Sequence, residues 1–292
     1  MATERLQKII AQAGIASRRQ AEQMILDRLV RVNDRVVAEL GAQADPLVDK
    51  IYVNDVQVHV ERHVYIILYK PRGYVSDKDD TAEHPHALEL VNVPERLYPA
   101  GRLDWNSEGL MFLTNDGELA FRVTHPRFEH TKEYLVLVAG DPDDKALASL
   151  RRGISSEGEW LRADKIETAG RHQAFGEAGR DETWLKFIMH EGKKRQIRRM
   201  CSAVGHPVKR LIRTRIATLK LGGLKPGKWR VLTAHELTEL QASLAARPKP
   251  KMQTPGRRPG STPAVRAERP GRARPKSNPT NRNPNASKHH RD

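Results

Sequence analysis

The chain opens with apolar residues at helical spacing. They occupy one face of the range 4–13, and Gly14 follows as a residue that commonly ends a helix. Ser17 and Gln20 then have the spacing of a capping box, in which a serine side chain and a glutamine side chain satisfy each other's backbone N–H groups. A second helix is therefore predicted to begin here, with four residues directed inward: Ala21, Met24, Ile25 and Leu29.

Short runs rich in valine and isoleucine come after these helices. Runs of this length, bounded by polar residues, are typical of β-strands. The predicted strands are 31–33, 36–37 and 51–54, with Val56 and Val58 after them. We therefore predict a small first domain over residues 1–60, made of two helices and a few strands.

Longer apolar runs follow, and they predict a larger second domain over residues 61–247. The predicted strands are 64–69, 110–113, 132–139 and 183–189, with 217–221 and 229–232 as a late pair joined by a turn containing Gly and Pro. The predicted helices are 142–152, 193–205 and 234–246. Because strands and helices do not alternate regularly, the pattern favours an α+β fold with a mixed sheet.

Composition changes sharply near residue 248. The range 248–292 has nine prolines and no aromatic residue, and it carries twelve Lys or Arg against two acidic residues, so +10 of the net charge of +15 lies there. Such a segment cannot bury enough apolar surface to offset the entropy of ordering, so a disordered basic tail is predicted. The charge favours a polyanionic partner, either nucleic acid or an acidic membrane surface.

Several classes of function lose support from what the sequence lacks. No apolar run approaches the roughly 20 residues of a membrane span, and no apolar signal core opens the chain, so a cytoplasmic protein is expected. The single cysteine, Cys201, permits neither an intramolecular disulfide nor a Cys-pair zinc site. The twelve histidines show no metal-binding spacing. Gly227-Lys228 is followed by Trp229 rather than by the Ser or Thr of a phosphate-binding loop, so a nucleotide site has no support either. We expect no metal and no cofactor.

Two clusters of cations are candidates for phosphate contacts. Arg18 and Arg19 open the second helix, where positive charge opposes the helix dipole. They either bind phosphate at the helix N-terminus or are simply solvated. The range 191–200 is the densest basic segment before the tail, and a helix there would place Arg195 with Arg199, and Lys194 with Arg198, on shared faces. One arginine could pair with a buried carboxylate, or the whole face could be solvated.

The loop 101–109 carries the most informative carboxylate. Asp104 lies two residues after Arg102 between glycines, and the apolar run 110–113 anchors the loop to a predicted strand. An isolated aspartate in this setting is more often a turn or capping residue than a nucleophile. Tyr134, at the start of the strand 132–139, has two interpretations as well: core packing, or stacking on an extruded base.

Four segments resemble one known family. Residues 101–120 read GRLDWNSEGLMFLTNDGELA, which resembles the main signature of the RsuA-type ribosomal RNA pseudouridine synthases. The segments 68–73, 132–134 and 192–200 resemble further signatures of that family, in the same order. Residues 3–60 resemble the alpha-L RNA-binding domain. Trp105 departs from the signature, because it is bulkier than the residue usually found after the aspartate.

The resemblance implies a fold and a chemistry. It implies an alpha-L domain followed by a synthase domain with a mixed, mostly antiparallel sheet flanked by helices. Asp104 takes the place of the essential aspartate, acting as nucleophile or as base on a flipped-out uridine. Arg198 takes the place of its basic partner, and Tyr134 that of the aromatic residue that stacks on uracil. The implied RNA-binding residues are Arg18, Arg19, Arg102, Lys194, Arg195 and Arg199.

The expected substrate is ribosomal RNA, free or in a pre-ribosomal particle, with the large subunit favoured. A monomer with no membrane contact and no obligatory protein partner is expected. Two other functions compete with this one. A non-catalytic RNA-binding or ribosome-assembly protein would keep the fold without the chemistry. A nucleic-acid hydrolase would need a metal or a carboxylate cluster, and the sequence shows neither.

Overall fold

The computed structural model of the protein describes residues 3–76 and 84–245. The predicted disordered tail, 248–292, lies outside these residues. In the described ranges, no helix is long and apolar enough to cross a lipid bilayer.

The N-terminal part consists of two helices packed on short strands. In chain order the elements are β1 (Glu4–Arg5), α1 (Leu6–Gln12), α2 (Arg18–Leu26), β2 (Val30–Val32), β3 (Arg35–Val37), β4 (Gln43–Ala44), β5 (Ile51–Val53) and β6 (Val56–Gln57). Strands β3, β2, β5 and β6 form an antiparallel sheet in that order. Leu6, Ile9 and Ile10 are buried in its core together with Ala21 and Ile25, as their spacing predicted.

The capping box predicted at the second helix is confirmed. The Gln20 N–H donates to Ser17 Oγ at 3.3 Å, and the Ser17 N–H donates to Gln20 Oε1 at 2.9 Å. Helix α2 ends at Leu26, so Leu29 lies outside it and is exposed, contrary to the prediction. The reciprocal pair therefore fixes the N-terminus of the helix that carries Arg18 and Arg19.

Replacing Ser17 with alanine is expected to lower the free energy of unfolding by about 1 kcal/mol, because the Gln20 N–H loses its acceptor. Urea denaturation followed by circular dichroism would measure the loss. Ser17→Thr is the matched control, since it keeps the acceptor oxygen and should stay close to the wild type. Equal stability of the alanine variant and the wild type would contradict the prediction.

The second part is built on one large sheet. The strands of this part are β7 (Tyr65–Lys70), β8 (Tyr98–Pro99), β9 (Glu108–Thr114), β10 (Lys132–Ala139), β11 (Ile154–Ser156), β12 (Glu159–Leu161), β13 (Lys165–Thr168), β14 (His172–Gln173), β15 (Gly176–Glu177), β16 (Glu182–Met189), β17 (Val208–Ile216), β18 (Leu219–Lys220) and β19 (Trp229–Val231). Of these, β11–β12 and β14–β15 form two separate two-stranded sheets. The helices of this part are α3 (Gly117–Thr124), α4 (Asp144–Arg152), α5 (Gln196–Ala203) and α6 (Ala234–Ala245), with short 3₁₀ turns at Ala87–Leu90 and Pro126–Phe128.

The order of the main sheet is β13-β16-β10-β17-β9-β7-β19, with β18 beside β17 and β8 beside β9. Only the β9–β17 pair is parallel among the described strands. The predicted α+β fold with a mixed, mostly antiparallel sheet is confirmed. The parallel pair joins two strands that lie far apart in the sequence, at the centre of the sheet.

Both faces of this sheet are covered. Alternate residues of β7 enter different cores, with Ile66 and Leu68 in one and Ile67 and Tyr69 in the other. Helices α4 and α5 contribute to the first core, and α3 and α6 to the second. A strand buried on both faces has no polar alternation, which explains why β7 and β9 appear in the sequence as continuous apolar runs.

The structure differs from the predicted elements in the late strands, in one helix and in strand β17. The late strands do not pair with each other, since β18 joins β17 and β19 joins β7. The helix predicted over 193–205 begins only at Gln196, because Arg195 adopts a left-handed backbone conformation at φ +51°. Strand β17 was not predicted. Its cations at Arg210, Arg213 and Arg215 interrupt the apolar pattern, and each is partnered inside the fold.

Candidate active site

The loop between β8 and β9 holds Asp104 in a fixed turn. The Ser107 N–H donates to the Asp104 carbonyl at 2.9 Å. One residue earlier, the Leu103 N–H donates to Ser76 Oγ at 2.9 Å, and that hydroxyl donates to the Leu103 carbonyl at 2.6 Å. Leu103 is buried, whereas the Asp104 side chain is about one third exposed. The loop thus presents a carboxylate from a backbone that is fixed on both sides.

A buried lysine supports this loop from the end of β7. Lys70 is fully buried, and its Nζ donates to the Ser107 carbonyl at 2.8 Å and to the Pro71 carbonyl at 3.0 Å. Burial, with a further contribution from the charge of Arg213, lowers the pKa of Lys70 to about 7. The Lys70 amine can therefore lose its proton near neutral pH and still donate two hydrogen bonds.

This lysine predicts how stability depends on pH. Between pH 7 and 10.5 the unfolded chain keeps the Lys70 proton while the folded protein has lost it, so stability rises with pH in that window. Lys70→Met should reduce that rise by up to about 1.4 kcal/mol per pH unit. Urea denaturation at several pH values from 7 to 9.5 would measure it, with Lys225→Met at an exposed turn as control. An unchanged slope in Lys70→Met would show that the buried amine stays charged.

Two arginines at the start of α5 bind the same loop. Arg198 Nη2 donates to the Asn106 carbonyl at 2.8 Å and to Ser107 Oγ at 3.3 Å. Arg195 Nη1 lies 3.9 Å from Asp104 Oδ2 and 3.4 Å from Asn106 Oδ1. Among the described residues, Arg195 therefore lies within ion-pair distance of Asp104. The charge of Asp104 also acts on Arg198, so the pairing with Arg198 that the resemblance implies stays a prediction. The left-handed turn at Arg195 redirects its side chain, which a continuous helix would not do.

Tyr134 faces a buried arginine across the β10–β17 pair. Arg213 is the residue opposite Tyr134, and its Nε donates to the Leu110 carbonyl at 2.8 Å while its Nη1 donates to the Arg102 carbonyl at 3.2 Å. Burial lowers the pKa of Arg213, and Tyr134 beside it opposes that effect. Arg213 thus connects the tyrosine, the loop and the parallel strand pair.

These residues surround a cavity of about 490 Å³. Five of the residues predicted for the site line it: Arg102, Asp104, Tyr134, Lys194 and Arg195. Lys132 and Arg213 line it as well, and an apolar wall comes from Met189, Ile197, Leu211 and Ile216. A carboxylate, an aromatic ring and several cations around an apolar wall form a site suited to a planar, polar ring attached to an anionic chain.

The predicted RNA-binding positions outside the cavity differ in their environments. Arg199 forms ion pairs with Glu159 at 2.6 Å and with Glu157 at 3.3 Å, so its charge is already paired on the β11–β12 hairpin. A contact between Arg199 and RNA stays a prediction. Arg18 and Arg19 are exposed at the first turn of α2, as an RNA contact requires.

The sequence reasoning missed Lys70 and Arg213. The signal for Lys70 was a cation directly continuing the apolar run 65–69. The signal for Arg213 was its place between Ile212 and Ile216 in a segment that is otherwise strand-like. Both cations are buried because they satisfy backbone carbonyls of the loop and of β9.

Comparison with known proteins identifies both parts of the chain. A family model described as RNA pseudouridylate synthase matches residues 64–203, and one described as S4 domain matches residues 4–46. A solved crystal structure of a pseudouridylate synthase superposes with a TM-score of 0.56 at 30% sequence identity, covering 81% of this chain and 99% of that one. The predicted resemblances of both regions are confirmed.

Individual relatives are similar over most of their length. Ribosomal large subunit pseudouridine synthase B of Bacillus subtilis (strain 168) is 42% identical over 240 residues, which are 82% of this chain and 96% of that protein. The dual-specificity RNA pseudouridine synthase RluF of Escherichia coli O157:H7 is 36% identical over 255 residues, covering 85% and 83%. The chain therefore belongs to the RsuA-type family of RNA pseudouridine synthases, which are isomerases with an S4 domain ahead of the synthase domain.

Proposed function

We propose that the protein converts a uridine of large-subunit ribosomal RNA to pseudouridine, with Asp104 as the catalytic residue. The observation that carries this proposal is the cavity in which the Asp104 carboxylate, the Tyr134 ring and the Arg195 guanidinium meet. The choice of ribosomal RNA draws on the relatives, because one that is 42% identical is named for the large ribosomal subunit.

The reaction is an isomerisation that balances without a co-reactant. The bond between N1 of uracil and C1′ of ribose breaks, the base turns, and C5 forms the new bond to C1′. The proton on C5 leaves, and N1 gains a proton. Asp104 either attacks the sugar as a nucleophile or removes a sugar proton as a base. Each role requires a carboxylate held in place, and the hydrogen bonds of Leu103 and Ser107 hold it.

The cavity size fits one extruded nucleotide. A uridine stacked in RNA cannot reach Asp104, so it must be flipped out, and enzymes that act on bases commonly bind the flipped base against an aromatic ring. Tyr134 in the cavity wall is placed for that role. Arg102 is exposed at the rim, where its cation can occupy the space that the base leaves. Lys194 is exposed at the same cavity and can contact the RNA backbone.

The N-terminal domain supplies affinity in this proposal. Arg18 and Arg19 lie at the N-terminus of α2, where the helix dipole and two cations together favour phosphate. Arg198 fixes Asn106 and Ser107 by hydrogen bonds, and its charge interacts with that of Asp104, which supports its role as the basic partner of the aspartate.

The direct experiment offers the full-length protein two unmodified transcripts, one of large-subunit and one of small-subunit ribosomal RNA. Carbodiimide treatment and primer extension would locate any pseudouridine. We expect modification in the large-subunit transcript, no RNA cleavage, and the same yield with a metal chelator. Modification confined to the small-subunit transcript would show that the proposed substrate is wrong. No pseudouridine in either would favour the non-catalytic assembly role, and cleavage would favour the hydrolase.

A further inference from the structure

Trp105, the residue after Asp104, is half exposed although its backbone is firmly held. The Gly73 N–H donates to the Trp105 carbonyl at 2.8 Å. On the other side, Asn106 receives hydrogen bonds from Arg195 and Arg198. The indole itself is 50% exposed. An exposed tryptophan on a rigid backbone is a preformed contact surface, because little conformational freedom remains to be lost when a ligand binds.

One face of the indole is already covered. The ring of His84 stacks on Trp105 with centroids 5.0 Å apart and an interplanar angle of 17°. Half of the Trp105 surface nevertheless remains exposed among the described residues. The pair is thus a preformed aromatic stack with exposed surface left for a further contact.

The surroundings of this pair are cationic. Arg72 precedes Gly73 and is exposed, and its charge acts on Arg198. Arg102 and Arg195 are exposed on the cavity side. Aromatic rings interleaved with arginines favour a nucleic-acid strand, because the bases stack while the phosphates pair with the cations. This charge pattern favours RNA over an apolar protein surface.

We propose that Trp105 and His84 form a stacking platform for the base of a nucleotide next to the target uridine. The inference rests on the proposed function. Asp104 and Trp105 are adjacent, with Cα atoms about 3.8 Å apart, so a uridine at Asp104 places its neighbour at the rim. When the uridine is flipped out, that neighbour loses a stacking partner. Trp105 replaces the lost partner and thereby favours RNA in which this neighbour is a base that stacks strongly.

The test uses a short RNA stem-loop around the uridine that the wild-type protein modifies in a ribosomal RNA transcript. In further copies of this RNA, each nucleotide beside the target uridine is replaced in turn by an abasic one. Single-turnover rates at increasing protein concentration give the half-saturating concentration for each protein and RNA. The proteins are the wild type, Trp105→Phe, Trp105→Leu and, as a matched exposed tryptophan elsewhere, Trp160→Ala. Urea denaturation checks that each variant is folded.

Trp105→Leu should raise the half-saturating concentration about 10-fold, within the range for loss of one base–aromatic stack. Trp105→Phe keeps an aromatic face and should stay within about 3-fold of the wild type. One abasic substitution should weaken the wild type and Trp160→Ala about 10-fold, yet leave Trp105→Leu nearly unaffected. That non-additivity is the signature of a direct stack.

The platform is overturned if Trp105→Leu and every abasic substitution weaken binding additively, or if Trp105→Leu behaves like the wild type. Those outcomes leave the proposed function intact, because the wild type is active in both. A wild type that modifies neither ribosomal RNA transcript overturns the proposed function and the platform together.

Discussion

Asp104→Asn is expected to slow pseudouridine formation by about four orders of magnitude or more, the scale seen when a catalytic carboxylate is removed. The amide has nearly the same shape, so the turn closed by Ser107 should persist. It is a poor nucleophile and a poor base, so neither proposed role of the carboxylate remains. Single-turnover conversion of the transcript by an excess of protein would measure the rate.

The RNA affinity of Asp104→Asn is the control that separates a loss of chemistry from a loss of binding. Arg18, Arg19 and Lys194 are untouched, so the dissociation constant should stay within about 3-fold of the wild type. Asp144→Asn, the same change at an exposed position of α4 outside the cavity, should keep full activity. If Asp104→Asn retained more than a tenth of the wild-type rate, the carboxylate would not be the catalytic group.

Gly109→Ala is expected to have the largest effect on stability, a loss of about 4 kcal/mol or more, at the upper end for single substitutions. Gly109 has φ +109°, which side chains rarely adopt. A Cβ there would lie 2.4 Å from the Arg213 carbonyl oxygen and 2.6 Å from its nitrogen. Both atoms are backbone of the parallel partner strand, so relief requires β9 and β17 to separate.

Urea denaturation followed by circular dichroism would measure this loss, or show that the variant does not fold. Gly158→Ala separates the two causes, because Gly158 also has a positive φ, +76°, but a Cβ there meets nothing within 4 Å. It should cost only about 1 kcal/mol, the conformational part alone. Similar losses at the two glycines would mean that the close approach to Arg213 contributes nothing.

The sequence predicted those parts of the fold whose signals are local. The capping box of Ser17 and Gln20 needs only four residues, and the strand 132–139 is as long in the structure as its apolar run predicted. The late strands were wrong in their partners, because pairing depends on segments far away in the sequence. Strand β17 was missed since its cations are partnered by distant groups, such as Glu108 for Arg210.

The sequence likewise predicted some residues of the candidate site and missed others. The resemblance brought Asp104 and Tyr134 together, and the structure places both in one cavity. The resemblance pointed to Arg198 as the partner of Asp104 but not to the additional ion pair with Arg195, because the left-handed backbone at residue 195 cannot be deduced from a basic run. A cation beside apolar residues, which is the local signal at Lys70 and at Arg213, does not by itself show burial; both are buried because distant carbonyls need donors.

The single parallel pair also bears on when the site can form. Arg213 and Arg102 are 111 residues apart along the chain, yet the hydrogen bond from Arg213 Nη1 to the Arg102 carbonyl connects the Asp104 loop to the centre of the sheet. Contacts of such long sequence separation close late, because the entropy of the intervening loop must be lost first. During synthesis the Asp104 loop is complete long before β17 exists. The Asp104 carboxylate, to which the proposed function gives the catalytic role, is therefore one of the last groups in the domain to be positioned, well after the S4 domain has been synthesised.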